Sequence, residues 1–243
     1  MVVNRFETEM KLKYTVVLRR NGVICGIKNL KIMNLDNMKS NKLNFLTRLT
    51  SNDFSWRKPS GLNGKCIQNQ IYEAVHGFGW EEWLLNDYYD RSQCLNDYCY
   101  GFIQAFNGKN KEYKIIDKLF LYTRKIENGL ISNYYVGYIE DVEIVDNSLY
   151  FDKYEEKCKE FCIKSKRDLE LIGIKNFQSE LMKMCTMKMF YNVMFKPDNV
   201  HFHLQNQCSI KLEKGQFRFA LYDLNNHLNL LKEVLRIENN INL

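Results

Sequence analysis

Proline is scarce in this chain: 243 residues contain 2 prolines and 12 glycines. Collagen-like and Pro/Gly-rich low-complexity chains are thereby excluded. No stretch approaches the roughly 18 apolar residues of a membrane helix. The opening residues, Met1 to Lys13, are charged and lack an apolar core, so no secretory leader is expected. C-x-x-C pairs are missing too. The eight cysteines are Cys25, Cys66, Cys94, Cys99, Cys158, Cys162, Cys185 and Cys208, and they match no common zinc spacing. Reduced, packed thiols in a cytoplasmic protein are expected, with no metal and no cofactor. Walker-type loops, His-Glu-x-x-His and Gly-x-Ser-x-Gly are absent, and Gly77-x-Gly79 lacks the third glycine of a dinucleotide fingerprint.

What is present suits a globular protein with a substantial core. Hydrophobic residues make up 45% and aromatics 14%, too many for a disordered chain. The net charge of +6, from 35 basic and 29 acidic residues, permits a polyanionic partner without demanding one.

Turn signals and periodicity order the chain. Lys13 to Ile32 predicts a hairpin about Asn21-Gly22. Asn34 to Asn52 is Asn-rich and polar, with a short helical or irregular piece at Leu43 to Leu49. A boundary falls there, leaving residues 1–50 as an N-terminal hairpin extension and 51–243 as the main domain. Phe54 to Lys58 predicts a short strand ended by Pro59-Ser60-Gly61. Strands follow at Ile115 to Thr123 and Tyr134 to Val145, joined through Asn128-Gly129. Amphipathic helices are predicted at Asp152 to Arg167 and Phe177 to Met187. Strand patterns return at Phe190 to Pro197, Asn199 to Leu204 and Phe217 to Tyr222, before a C-terminal helix at Leu228 to Ile237.

The run with most chemical content is Gly77-Phe-Gly-Trp-Glu-Glu-Trp-Leu-Leu-Asn86. Aromatic walls with carboxylates between them suit a planar base or a cation. The same spacing also describes one helical turn, with Trp80, Trp83 and Leu84 facing a core and Glu81 and Glu82 solvated or capping. Ser55-Trp-Arg-Lys-Pro could stack on a base and meet phosphate, or could simply end a strand. His201 and His203 share a strand face without a nearby third ligand. Asp141 and Glu143 form an acid pair but lack the following lysine motif of a metal-dependent nuclease.

Taken with Leu119-Phe-Leu-Tyr-Thr, Tyr134-Tyr-Val-Gly-Tyr-Ile-Glu-Asp-Val-Glu and Tyr191-Asn-Val-Met-Phe-Lys-Pro, these runs resemble the PUA-like superfamily over about residues 50 to 225. The relevant branch holds the EVE, YTH and ASCH domains, among them the specificity modules of modification-dependent restriction systems. The resemblance implies an α+β fold: a curled β-sheet or partial β-barrel with flanking helices, carrying a helical insertion at about 152–187. It also implies a non-catalytic DNA-binding module that holds a modified, flipped base in an aromatic pocket. Trp56, Trp80 and Trp83 would wall that pocket, and Glu81, Glu82 and Asn86 would read the base edge. Arg57, Lys58, Lys109 and Lys196 would contact phosphate. The partners would be modified duplex or single-stranded DNA and a nuclease or GTPase effector on another chain, in a bacterial restriction or defence system. Two rivals stay open. One is a metal-dependent nuclease using Asp141, Glu143 and one of His76, His201 or His203. The other is a protein–protein adaptor with exposed aromatics.

Overall fold

Two long antiparallel strands carry the sheet: β3 (Ile115–Glu127) and β4 (Leu130–Ile144). Their sequences are rich in β-branched and aromatic residues, which fit a pleated, covered surface. Alternation divides their side chains between two faces. Leu119, Leu121, Ile139 and Val142 enter one apolar cluster, while Phe120 and Tyr122 are buried on the opposite side.

The computed structural model describes residues 43–61, 75–107, 114–127, 130–146, 154–175, 177–179, 181–182, 191–203, 210 and 221–241. The chain divides into two compact units, Met1–Ser40 and Asn41–Leu243, and every described residue belongs to the second. The hairpin expected about Asn21-Gly22 and the turn at Asn128-Gly129 lie outside the described residues.

The other strands are β1 (Asn44–Leu49), β2 (Cys99–Gly101), β5 (Val193–Phe195), β6 (Val200–Phe202) and β7 (Leu221–Asp223). The sheet order is β2-β5-β4-β3-β1-β7, with β6 also on β4. β1 runs parallel to β3 and all other pairings are antiparallel. Among the described residues the helices are α1 (Asn86–Tyr89), α2 (Glu155–Leu171) and α3 (Leu228–Ile241). The class is α+β, and among the described residues the mixed sheet is open rather than closed into a barrel. No helix among the described residues is long and apolar enough to cross a membrane.

Two local expectations are corrected. Leu43 to Leu49 is neither helical nor irregular: Asn44–Leu49 is an interior strand, so the sheet starts on the N-terminal side of the expected boundary at residue 50. Phe45, Leu46, Thr47 and Leu49 are all buried, and burial on both faces erases the alternation that marks a strand in sequence. Phe54 to Lys58 is a tight turn rather than a strand, with Ser55 and Trp56 both at φ 56°. The long helix fares better: α2 begins within the predicted region and runs on past Arg167 to Leu171.

β5 and β6 are two pieces of one run along β4, and β5 also pairs with β2 on its other side. Glu143 and Ile144 pair with β5, and Gly137 to Ile139 pair with β6. A 3-10 turn at Pro197–Asn199 separates the pieces. Opposite it Asp141 adopts φ 48°, and Asn199 Nδ2 donates to the Glu140 carbonyl at 3.2 Å. Further along β4 the register slips: Leu121 faces Gly137 but Tyr122 faces Tyr135, leaving Val136 as a bulge. The Val136 carbonyl accepts from the His203 amide at 2.9 Å, so the bulge fixes where β6 ends.

Gly137 makes this approach possible. Its φ is +140°, and a Cβ there would lie 2.1 Å from the His201 carbonyl oxygen. Gly137→Ala should therefore cost about 2–5 kcal/mol, combining backbone strain with forced separation of packed backbone. Urea unfolding would measure the loss. Hydrogen exchange should show the His203 amide losing protection before the β3–β4 amides do.

Candidate functional site

The Trp-Glu-Glu-Trp run forms a 3-10 turn, Trp80–Trp83, entered through Gly79. Its rings point inward. Trp80 is 7% exposed and Trp83 2%, in a cluster with Phe78, Phe161 and Tyr191. Phe78 meets both indoles edge-on, at 5.3 and 6.0 Å between centroids. The Trp83 indole N–H donates to Asp168 Oδ2 of α2 at 2.9 Å. Trp56 belongs to the other cluster, against the sheet, so the three indoles do not share a wall. Too little surface of Trp80 and Trp83 remains for a base to stack on. Their expected place in a base pocket is corrected to that of core residues, for the reason that i, i+3 aromatics on a helical turn face one side together.

The two carboxylates between them are buried acceptors. Glu81 Oε2 accepts from the Thr50 amide and hydroxyl, both at 3.1 Å, and Oε1 accepts from the Gln104 amide at 2.8 Å. Glu82 Oε1 accepts from the Gly79 amide at 3.0 Å. Its Oε2 gathers Asn52 Nδ2 at 2.7 Å, the Ser60 amide at 2.8 Å and the Ser60 hydroxyl at 3.2 Å. Neither is solvated and neither is placed to read a base edge. Asn86 is buried beside Asp87, to which its Nδ2 donates at 3.1 Å, and this corrects its expected edge-reading role as well.

What the two glutamates do is pin the Thr50–Ser60 loop. Asn52 completes the clamp, its Oδ1 accepting from the Phe54 amide at 2.8 Å and the Trp56 amide at 2.9 Å. The Trp56 indole N–H donates to the Thr50 carbonyl at 2.9 Å, and the Trp56 carbonyl accepts from the Leu85 amide at 2.9 Å. These bonds hold Ser55 and Trp56 in left-handed backbone conformations that non-glycine residues adopt at a cost.

Over this strained turn lies a cavity of about 180 Å³. Asp53, Ser55 and Trp56 line it from the loop, Lys125 from β3, Tyr134 from β4, and His203 from the end of β6. At 3% exposure Trp56 gives the cavity little more than a ring edge, while Tyr134 is half-buried and offers more. Lys125 Nζ stands 5.5 Å from the Tyr134 ring centroid. His203 Nε2 faces the Glu238 carboxylate of α3, at 3.2 and 3.4 Å. That contact leaves Nδ1 as the remaining polar atom of the ring. Tyr135 packs beside His203 at 6.3 Å, and burial together with the Glu238 charge pushes its hydroxyl pKa far above the usual phenol value. The cavity therefore combines a carboxylate, a hydroxyl, an ammonium and an imidazole braced from behind.

The expected phosphate contacts disperse. Arg57 and Lys58 are exposed on the same turn as Trp56, stacked over Tyr89 at 4.6 Å and Phe54 at 4.6 Å respectively. Lys196 is exposed at the end of β5, 5.9 Å from the Tyr98 ring centroid. Lys109 lies outside the described residues.

The nuclease set does not converge either. Among the described residues no group of three or more His, Cys, Asp or Glu side chains could hold a metal ion. Asp141 accepts from Asn199 at 3.3 Å, whereas His201 stacks on Tyr138 at 4.5 Å and faces Glu140 at 3.7 Å. Burial pushes the Glu140 carboxyl up, but Lys118 at 2.7 Å and His201 outweigh it and hold the group below the usual carboxylate range. His203 is engaged with Glu238 instead. Sequence reasoning found Trp56 and noted His203, but missed Asp53, Lys125 and Tyr134. The signal that could have pointed to them is the strained turn, and Ser55-Trp56 carries no glycine to betray it.

No family model matches the chain, and no curated protein or solved structure matches it either.

Proposed function

We propose that this chain is a non-catalytic nucleic-acid-binding module that takes a single modified base into the cavity beside Trp56. The supporting observation is that cavity: about 180 Å³, bordered by Trp56 and Tyr134 and equipped with Asp53, Ser55, Lys125 and His203. Its volume lies below the roughly 300–1,000 Å³ of sites for drug-sized ligands, which favours one small planar group. Asp53 and His203 offer hydrogen-bond partners for a base edge, and the half-buried Tyr134 ring offers a stacking surface. Arg57 and Lys58 would meet phosphate just outside the cavity, as the resemblance to PUA-like readers suggests. That resemblance is also the source of two finer readings: a PUA-like fold, and service to a bacterial restriction or defence system with an effector on another chain.

Binding to a duplex carrying one 5-methylcytosine, to its unmodified counterpart and to the single strand, measured by fluorescence anisotropy, tests the proposal. The modified duplex should bind more tightly. Tyr134→Ala and Asp53→Ala should weaken it by roughly tenfold, in line with about 1–3 kcal/mol per stacked base. Arg57→Ala with Lys58→Ala should weaken all three probes alike and flatten the salt dependence. Equal affinities for modified and plain DNA, unaffected by the cavity substitutions, would overturn the reading.

A further inference from the structure

We propose that Cys94 and Cys99 form an oxidisable dithiol, a modification site that a hydroperoxide converts to a disulfide. The geometry comes from a two-residue hairpin. Leu95 and Tyr98 exchange both backbone hydrogen bonds, each at 3.0 Å, and the central residues Asn96 and Asp97 have φ 50° and 65°. Two left-handed residues in succession make a type I′ turn, whose twist matches the flanking strands. Cys94 and Cys99 immediately flank this bridge, one on each arm of the hairpin. The sulfurs already face each other at 3.5 Å.

The two thiols differ in access. Cys99 is fully buried at the start of β2, whereas Cys94 is half-buried at the end of the short 3-10 turn Arg91–Gln93. Burial, helped by the neighbouring Cys94 thiol and Asp87, pushes the Cys99 thiol up, so it stays protonated while Cys94 meets solvent. Cys94 is therefore the sulfur that reacts first. Its Sγ attacks one peroxide oxygen, the O–O bond breaks and water leaves, giving a sulfenic acid. Cys99 Sγ then attacks Cys94 Sγ, the S–O bond breaks, and a second water departs with the Cys99 proton. Two thiols are oxidised and one hydrogen peroxide is reduced to two waters.

The test treats the folded full chain with hydrogen peroxide, alkylates remaining thiols and digests with trypsin. Ser92 to Lys109 holds both cysteines in one peptide, since cleavage follows Arg91 and Lys109. The expected product is that peptide lighter by two hydrogens and unalkylated, while the Cys158 peptide stays alkylated. Cys99→Ser should leave Cys94 as an oxygenated species, and Cys94→Ser should leave Cys99 alkylated. Circular dichroism would confirm that both variants are folded. A wild-type peptide alkylated at both positions, or one gaining oxygen without losing hydrogens, would overturn the proposal without any variant being needed.

Discussion

Trp83→Ala should destabilise the fold by about 3–5 kcal/mol, the usual range for truncating a buried indole to alanine, and Trp80→Ala should do the same. Trp83 is 2% exposed, packs against Phe78, Trp80 and Phe161, and donates its N–H to Asp168. Its removal opens a hole at the junction of the 3-10 turn with α2 and takes away one of the two donors on Asp168 Oδ2. Asp168 keeps its contact with Lys164 at 2.6 Å, so the larger part of the cost is lost packing. The turn that Trp83 anchors also holds Glu81 and Glu82, which pin the loop bearing the cavity. Binding should fall in these variants only as far as the folded population falls. Urea unfolding beside anisotropy at a temperature where the variants stay folded separates the two effects. A Trp83→Ala protein as stable as wild type but unable to bind modified DNA would return the indoles to a recognition surface. The contrast is with Tyr134→Ala, where the loss should be in binding and the unfolding midpoint should hardly move.

This reversal shows which features the sequence carries and which it does not. Ile115 to Thr123 and the run after Tyr134 were legible as strands because each is a long stretch rich in β-branched and aromatic residues beside the Asn128-Gly129 turn signal. α2 was legible because Tyr154, Cys158, Phe161 and Cys162 recur at helical spacing. β1 was not, because its six residues are covered on both faces and interrupted by Asn44, Thr47 and Arg48, so they show neither alternation nor a long β-rich run, and the parallel pairing of β1 with β3 has no local signature at all. The candidate site was legible only where one residue stood out. Trp56 was noticed as a tryptophan beside basic residues. Tyr134, Lys125 and His203 reach the same cavity through strand register and a bulge at Val136, and no window of sequence joins them. Glu81 and Glu82 drew attention as chemical groups, and their effect on the cavity is exerted through the backbone amides and side chains that they bind.

Lys157→Met should cost about 3–5 kcal/mol, the penalty for leaving one member of a buried ion pair uncompensated. Lys157 Nζ lies 3.2 Å from Asp87 Oδ2, at 9% and 2% side-chain exposure, and also donates to the Gln93 carbonyl. Asp87 accepts in addition from the Tyr100 amide at 3.1 Å, so the pair ties α2 to the first residues of β2. Burial raises the Asp87 carboxyl above its ordinary value, and Lys157 is the chief influence opposing that rise. The sign of the pH dependence follows. A carboxyl raised in the folded state favours folding below its unfolded pKa, and that contribution is lost as pH climbs through the folded pKa. Removing Lys157 raises the folded pKa further and so enlarges the loss. Wild type and Lys157→Met should therefore differ least below the ordinary Asp pKa, where Asp87 is protonated in both, and diverge as pH rises toward neutrality. Asp87→Asn combined with Lys157→Met should recover most of the deficit, because neither a buried charge nor its unpaired partner remains. Urea midpoints of the three proteins across that pH range would check this. A deficit that stays constant with pH, or a double variant no more stable than Lys157→Met, would mean that lost packing of the lysine stem, rather than the buried carboxylate, sets the cost.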